Sequence, residues 1–148
     1  MRRTIHTTVV TGAIALAVLG ASPQLYAQAS PPPDPLALAV DQVRSGRYSD
    51  AIATLDAAIR ARPRAGETAY LLLAQVHVEM ADAARGIDTL RTGLTIYPGA
   101  PALEGALGQL LFRSRYDSGE AGALLARAAR MLPRDPGARH YYAQWAYL

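Results

Sequence analysis

The chain of 148 residues contains no cysteine. That absence excludes disulfides, thiolate metal ligands, a thiol nucleophile and a lipidated N-terminal cysteine. Lysine is missing too, so all fifteen basic residues are arginine. Imidazole is confined to His6, His77 and His140. His77 lies between Val76 and Val78 and reads as a packing residue of a buried face, and His140 has no acid or nucleophile at a useful spacing. No nucleophile elbow, paired-histidine metal motif, phosphate loop or calcium loop occurs. These gaps predict a protein with no catalytic residues, no metal and no cofactor. Alternating strand-like segments are absent as well, which leaves an all-helical chain.

Long apolar runs are also lacking. The one candidate, Val9 to Ala21, is interrupted by Thr11, Gly12 and Gly20 and falls short of the roughly 20 residues of a membrane span. It follows Arg2 and Arg3, and it precedes Ala27-Gln28-Ala29, the small-x-small pattern of a cleavage site. Residues 1–29 therefore read as a secretory signal peptide cut after Ala29. Residues 30–33 form a Pro-rich lead, and 34–148 the mature domain, placed in the bacterial periplasm or outside the cell. An uncleaved signal would instead anchor the domain at the inner membrane, facing the periplasm.

Loss of the signal changes the electrostatics. The whole chain carries a formal charge of +3. Arg2 and Arg3 leave with the signal and no acid goes with them, so the mature domain is close to neutral. Such a domain has no electrostatic footprint for nucleic acid.

What the chain does have is a pattern repeated three times. Ala51, Leu55, Ala58 and Pro63 recur as Gly86, Leu90, Gly93 and Pro98, and again as Ala121, Leu125, Ala128 and Pro133, each set shifted by 35 positions. Self-similarity at this period marks a stacked-repeat architecture. Seven helices follow from the breaks, at roughly 34–45, 49–61, 67–80, 84–96, 101–113, 119–131 and 135–147. Arg62-Pro63, Tyr97-Pro98 and Leu132-Pro133 close the second helix of each pair, because a residue before proline is driven out of the α region. Asp34-Pro35 supplies a capped start, and Ser45-Gly46 a left-handed stop. Asp56 with Arg60 and Asp88 with Arg91 have the spacing of helix-surface ion pairs. The small residues are placed to let paired helices cross closely, with Leu55, Leu90 and Leu125 filling the space between. The turn at 114–119 is one residue longer than its counterparts.

These columns resemble tetratricopeptide repeats (TPRs), with first-helix positions at Leu38-Ala39, Leu73-Ala74, Leu107-Gly108 and Tyr142-Ala143. The resemblance covers residues 34–148. It implies a right-handed α-solenoid of about three repeats plus a terminal helix, with a concave groove lined by first helices and a protein or peptide as partner. On that mapping the groove holds Arg44, Gln75, Glu79, Gln109, Phe112, Arg113, Gln144 and Tyr147, beside Val40, Leu71, Val78 and His140. Gln75, Gln109 and Gln144 fall in one column, and side-chain amides can both donate to and accept from an extended peptide. The cationic clamp by which some members hold a terminal carboxylate is missing, since Leu36, Val40, Leu71 and Gln75 stand in its places.

The function expected is an exported scaffold or adaptor for protein–protein contact. Two alternatives stand beside it. Tyr141, Tyr142, Trp145 and Tyr147 crowd the last eight residues, so that helix could close a homo-oligomer or pack on the continuation of a longer repeat protein. The domain could also serve as an accessory subunit of an exported enzyme or an envelope-assembly complex.

Overall fold

The structure, a computed structural model, describes residues 34–64, 66–114 and 118–147. The expected signal peptide, the Pro-rich lead and the lengthened part of the 114–119 turn lie outside those residues. Seven helices follow one another: α1 (Pro35–Arg44), α2 (Tyr48–Ala61), α3 (Glu67–Glu79), α4 (Ala83–Ile96), α5 (Pro101–Ser114), α6 (Ser118–Met131) and α7 (Pro136–Ala146). Each end lies within one residue of the sequence expectation. Among the described residues there is no strand.

The caps explain the sharp starts. Asp34, Asp82 and Asp135 each accept a hydrogen bond from a first-turn amide, those of Leu36 (3.1 Å), Arg85 (3.0 Å) and Gly137 (2.8 Å). Two of the stops are built alike. Gly46 N–H donates to the Val43 carbonyl and Arg47 N–H to that of Gln42; 35 residues on, Ala81 N–H donates to Val78 and Asp82 N–H to His77. Gly46 takes the left-handed backbone at φ 70°, and Ala81 is held there at φ 60° despite its Cβ.

Helices pair in sequence as α1–α2, α3–α4 and α5–α6, and successive pairs join through α2–α3, α4–α5 and α6–α7. The first helices also meet, α3 with α5 and α5 with α7. This is an all-α solenoid of helix pairs. Its core divides into two clusters. One contains Ala39, Ala51, Leu55, Leu73 and Val76, and the other is built around Tyr70, Leu90, Leu103, Leu107 and Leu111. The half-buried Ile59 packs against both.

The repeat columns sit where close crossing needs them. Ala51, Leu55, Ala121, Leu125 and Ala128 are fully buried, and Leu90 nearly so. The glycines of the second repeat have a steric reason. A Cβ on Gly86 would stand 3.0 Å from Leu110 Cδ2 and 3.3 Å from the Ala74 carbonyl, and one on Gly93 would stand 3.0 Å from Tyr70 Cβ. One column departs from expectation, because Ala58 is only half-buried. Its neighbour Ile59 makes the contact with the second cluster instead.

A pair of tyrosines ties the first repeat to the second. Tyr70 donates its hydroxyl to the Pro63 carbonyl (3.1 Å), and the Tyr97 hydroxyl accepts from Gly66 N–H (2.9 Å). The two rings meet edge to face at 6.2 Å. The expected Asp56–Arg60 and Asp88–Arg91 pairs do not form. Arg91 reaches across to Glu120 on α6 at 2.8 Å instead. Among the described residues both aspartate side chains are left without an ion pair.

Candidate functional site

The first helices α3, α5 and α7 run side by side, and two cavities open between them. The first, about 360 Å³, lies between α3 and α5 and is lined by Leu71, Gln75, Val78, Glu79, Gln109, Leu110 and Arg113, with Ala74, Ala106 and Leu90 at its base. The second, about 550 Å³, lies between α5 and α7 and is lined by Phe112, His140, Ala143, Gln144 and Tyr147. Helical spacing places them so. Gln75, Val78 and Glu79 fall on one face of α3, and Ala106, Gln109, Leu110 and Arg113 on one face of α5.

Seven of the eight residues expected in the groove line these cavities: Gln75, Glu79, Gln109 and Arg113 the first, Phe112, Gln144 and Tyr147 the second. Arg44 lines neither. It stands on α1, largely exposed, 3.8 Å from a similarly exposed Asp41. Val40 is likewise absent from both linings. Ala106 and Leu110 went unmarked in the sequence, and Ala143 was marked as a repeat position but not for the groove. Ala106 is three residues before Gln109, and its shared face is the signal that would have found it.

Chemically the trough is apolar at its base and polar along its edges. Gln75, Gln109 and Gln144 make no hydrogen bond to other described residues, so their amides are available to a ligand. Glu79 and Arg113 project from opposite walls of the first cavity without an ion pair, one offering acceptors and the other donors. Phe112 lines the second cavity, its ring edge-on to Tyr141 at 6.5 Å. No three described His, Asp or Glu side chains stand close enough to hold a metal ion.

Of the four aromatic residues at 141–147, Tyr141 and Trp145 are half-buried against neighbouring helices, and Tyr142 and Tyr147 are exposed. Tyr141 packs on Phe112, and Trp145 lies against Gly122 of α6 while stacking on Tyr142 at 6.2 Å. Only Tyr147 is almost wholly exposed, at 91%, with Tyr142 at 38%. The four residues therefore do not form one exposed patch.

No protein-family model and no curated protein matches the sequence. Solved structures do match in shape. The first TPR of Spaghetti (RPAP3), bound to an HSP90 peptide, superposes with a TM-score of 0.68 at 13% identity, over 76% of this chain and 88% of that one. The Yersinia enterocolitica type III secretion chaperone SycD, in complex with a peptide of the translocator YopD, gives 0.62 at 18%, over 76% and 85%. PcrH from Pseudomonas aeruginosa gives 0.62 at 14%, over 76% and 84%. At such identities the likeness concerns the fold, and the fold is that of a TPR domain.

Proposed function

We propose that this chain is an exported TPR adaptor that holds an extended segment of a partner protein in the trough between α3, α5 and α7. The observation that carries the proposal is the convergence of Gln75, Gln109, Glu79 and Arg113 on one apolar-floored cavity, with none of their side-chain polar groups bonded to another described residue. Peptides bound to RPAP3 and SycD, and the chaperone-binding region of PopD bound to PcrH, support the use of this fold as a peptide holder. The trough differs from an acidic-tail clamp, since its only cation in the first cavity is Arg113. It suits a segment of alternating apolar and uncharged polar residues, whose side chains fill the floor and whose backbone pairs with the amides. Export rests on the signal read in residues 1–29. The packing of Tyr141 on Phe112 and of Trp145 on Gly122 favours the trough over an exposed aromatic patch as the contact surface.

The test is crosslinking in the native envelope followed by mass spectrometry, comparing the wild type with a Gln75→Ala, Gln109→Ala, Arg113→Ala triple variant. Phe112 is left intact because it packs on Tyr141. The expected result is loss of one specific crosslinked partner with unchanged helicity. Undiminished crosslinking by the triple variant would remove the trough from consideration.

A further inference from the structure

A third cavity, about 300 Å³, opens on another part of the surface, between α2 and α4 and over α3. Its polar groups share an unusual bias. The Thr89 hydroxyl donates to the Arg85 carbonyl and the Thr92 hydroxyl to that of Asp88, both at 2.8 Å. The Tyr70 hydroxyl donates to Pro63. All three hydroxyl protons are thus committed to backbone, and only lone pairs remain for a ligand. Asp56 and Asp88 reach the cavity from opposite walls as carboxylates with no ion pair among the described residues.

His77 adds an independent pointer. It lines the same cavity, is 7% exposed, and has no side-chain hydrogen bond or ring partner among the described residues. Its ring nitrogens are not sealed from the cavity, and when neutral the imidazole offers a ligand one acceptor and one N–H donor. The single cation on the rim, Arg85, is already held by the Asp82 carboxylate at 3.4 Å. Apolar floor is supplied by Ile59 and Leu73.

We infer that this cavity binds a donor-rich organic cation, a guanidinium or ammonium head carried on an alkyl stem. The head has donors and no acceptors, which complements the Asp56 and Asp88 carboxylates, the hydroxyl lone pairs and the imidazole acceptor. The stem lies on Ile59 and Leu73. A metal ion does not fit as well, because Asp56, Asp88 and His77 do not converge to ligating distance. The inference is independent of the trough, since no residue lines both cavities, although α3 and α4 contribute to each. The cation can come from a free small molecule or from an arginine or lysine side chain of a partner protein.

The experiment is an NMR titration of the full ¹⁵N-labelled domain with agmatine and, separately, with acetyl-Ala-Arg-Ala-amide. The same peptide with uncharged citrulline in place of arginine is the control. Saturable shifts at His77, Thr89 and Thr92 are expected. An Asp56→Asn, Asp88→Asn double variant should bind at least about tenfold more weakly, because charge-assisted hydrogen bonds are lost. Saturation by agmatine identifies the free cation as sufficient, and saturation by the arginine peptide alone assigns the site to a protein side chain; either supports the inference. Equal binding of the citrulline peptide, undiminished binding by the double variant, or no saturable shift at these residues up to about 10 mM, the weak limit of specific affinity, would overturn it. The arginine–citrulline comparison on the wild type stands even if the double variant proves unstable.

Discussion

Trp145 rests its six-membered ring on Gly122, where a Cβ would overlap the indole. The pair fixes α7 to α6, because the ring reaches the helix backbone only where a side chain is missing. Gly122→Ala should therefore lift Trp145 from α6 and cost about 1–3 kcal/mol, the usual range for overpacking. Trp145 is the sole tryptophan, so its emission reports the change directly. A red shift with a lower melting temperature is expected, and an unchanged spectrum would show that the ring does not depend on this gap.

Ala81 is the mirror case, a residue with a Cβ in a backbone conformation that favours none. It repeats the hydrogen bonds of Gly46 at the same place in the preceding repeat. Ala81→Gly should stabilise the domain by about 0.5–1 kcal/mol, the left-handed strain relieved less the entropy a glycine adds to the unfolded chain. Chemical denaturation of the two forms decides it, with a higher midpoint expected for the glycine form.

Gln42 is buried, at 7% exposure, and its Oε1 has no hydrogen-bond partner. Replacing it with methionine of similar shape removes the unsatisfied acceptor. A gain of about 1 kcal/mol is expected, measured by thermal unfolding; a loss would mean that the amide is satisfied in solution.

Tyr70 predicts a pH dependence. Its phenol is pushed above the ordinary 10.0, first by burial and then by the neighbouring Tyr97. Folding holds the proton more tightly than the unfolded chain does. The associated stability is complete below pH 10 and is lost as pH rises from there through the folded-state value. Unfolding free energy should fall over that alkaline window in the wild type. In Tyr70→Phe the fall should be shallower, on a baseline lowered by about 1 kcal/mol for the lost bond to Pro63.

These cases show what was legible in the sequence. The helices and their crossings were, because small residues every 35 positions and proline-terminated segments are local signals that survive without tertiary information. Seven of the eight residues that the repeat resemblance assigned to the groove line the two cavities, because the resemblance says which first-helix faces turn inward. Arg44, assigned by the same mapping, stands on α1, which lines neither cavity. The Asp56–Arg60 and Asp88–Arg91 pairs were inferred from spacing, but Arg91 meets Glu120, a partner 29 residues away that no local rule supplies. The cavity over α3 was invisible for a similar reason: its character depends on where three hydroxyl protons point, and spacing does not encode that.

Ile59 touches both core clusters, and Tyr97 grips the connection that leads out of α2. The first helix pair is consequently not a detachable end. Peeling it away would uncover the second cluster at Ile59 and free the Gly66 amide together, so fraying from the N-terminal side must carry the middle of the stack with it. In hydrogen exchange, amides of α2 should open together with those of α3, as one cooperative block instead of a sequence of separate repeats.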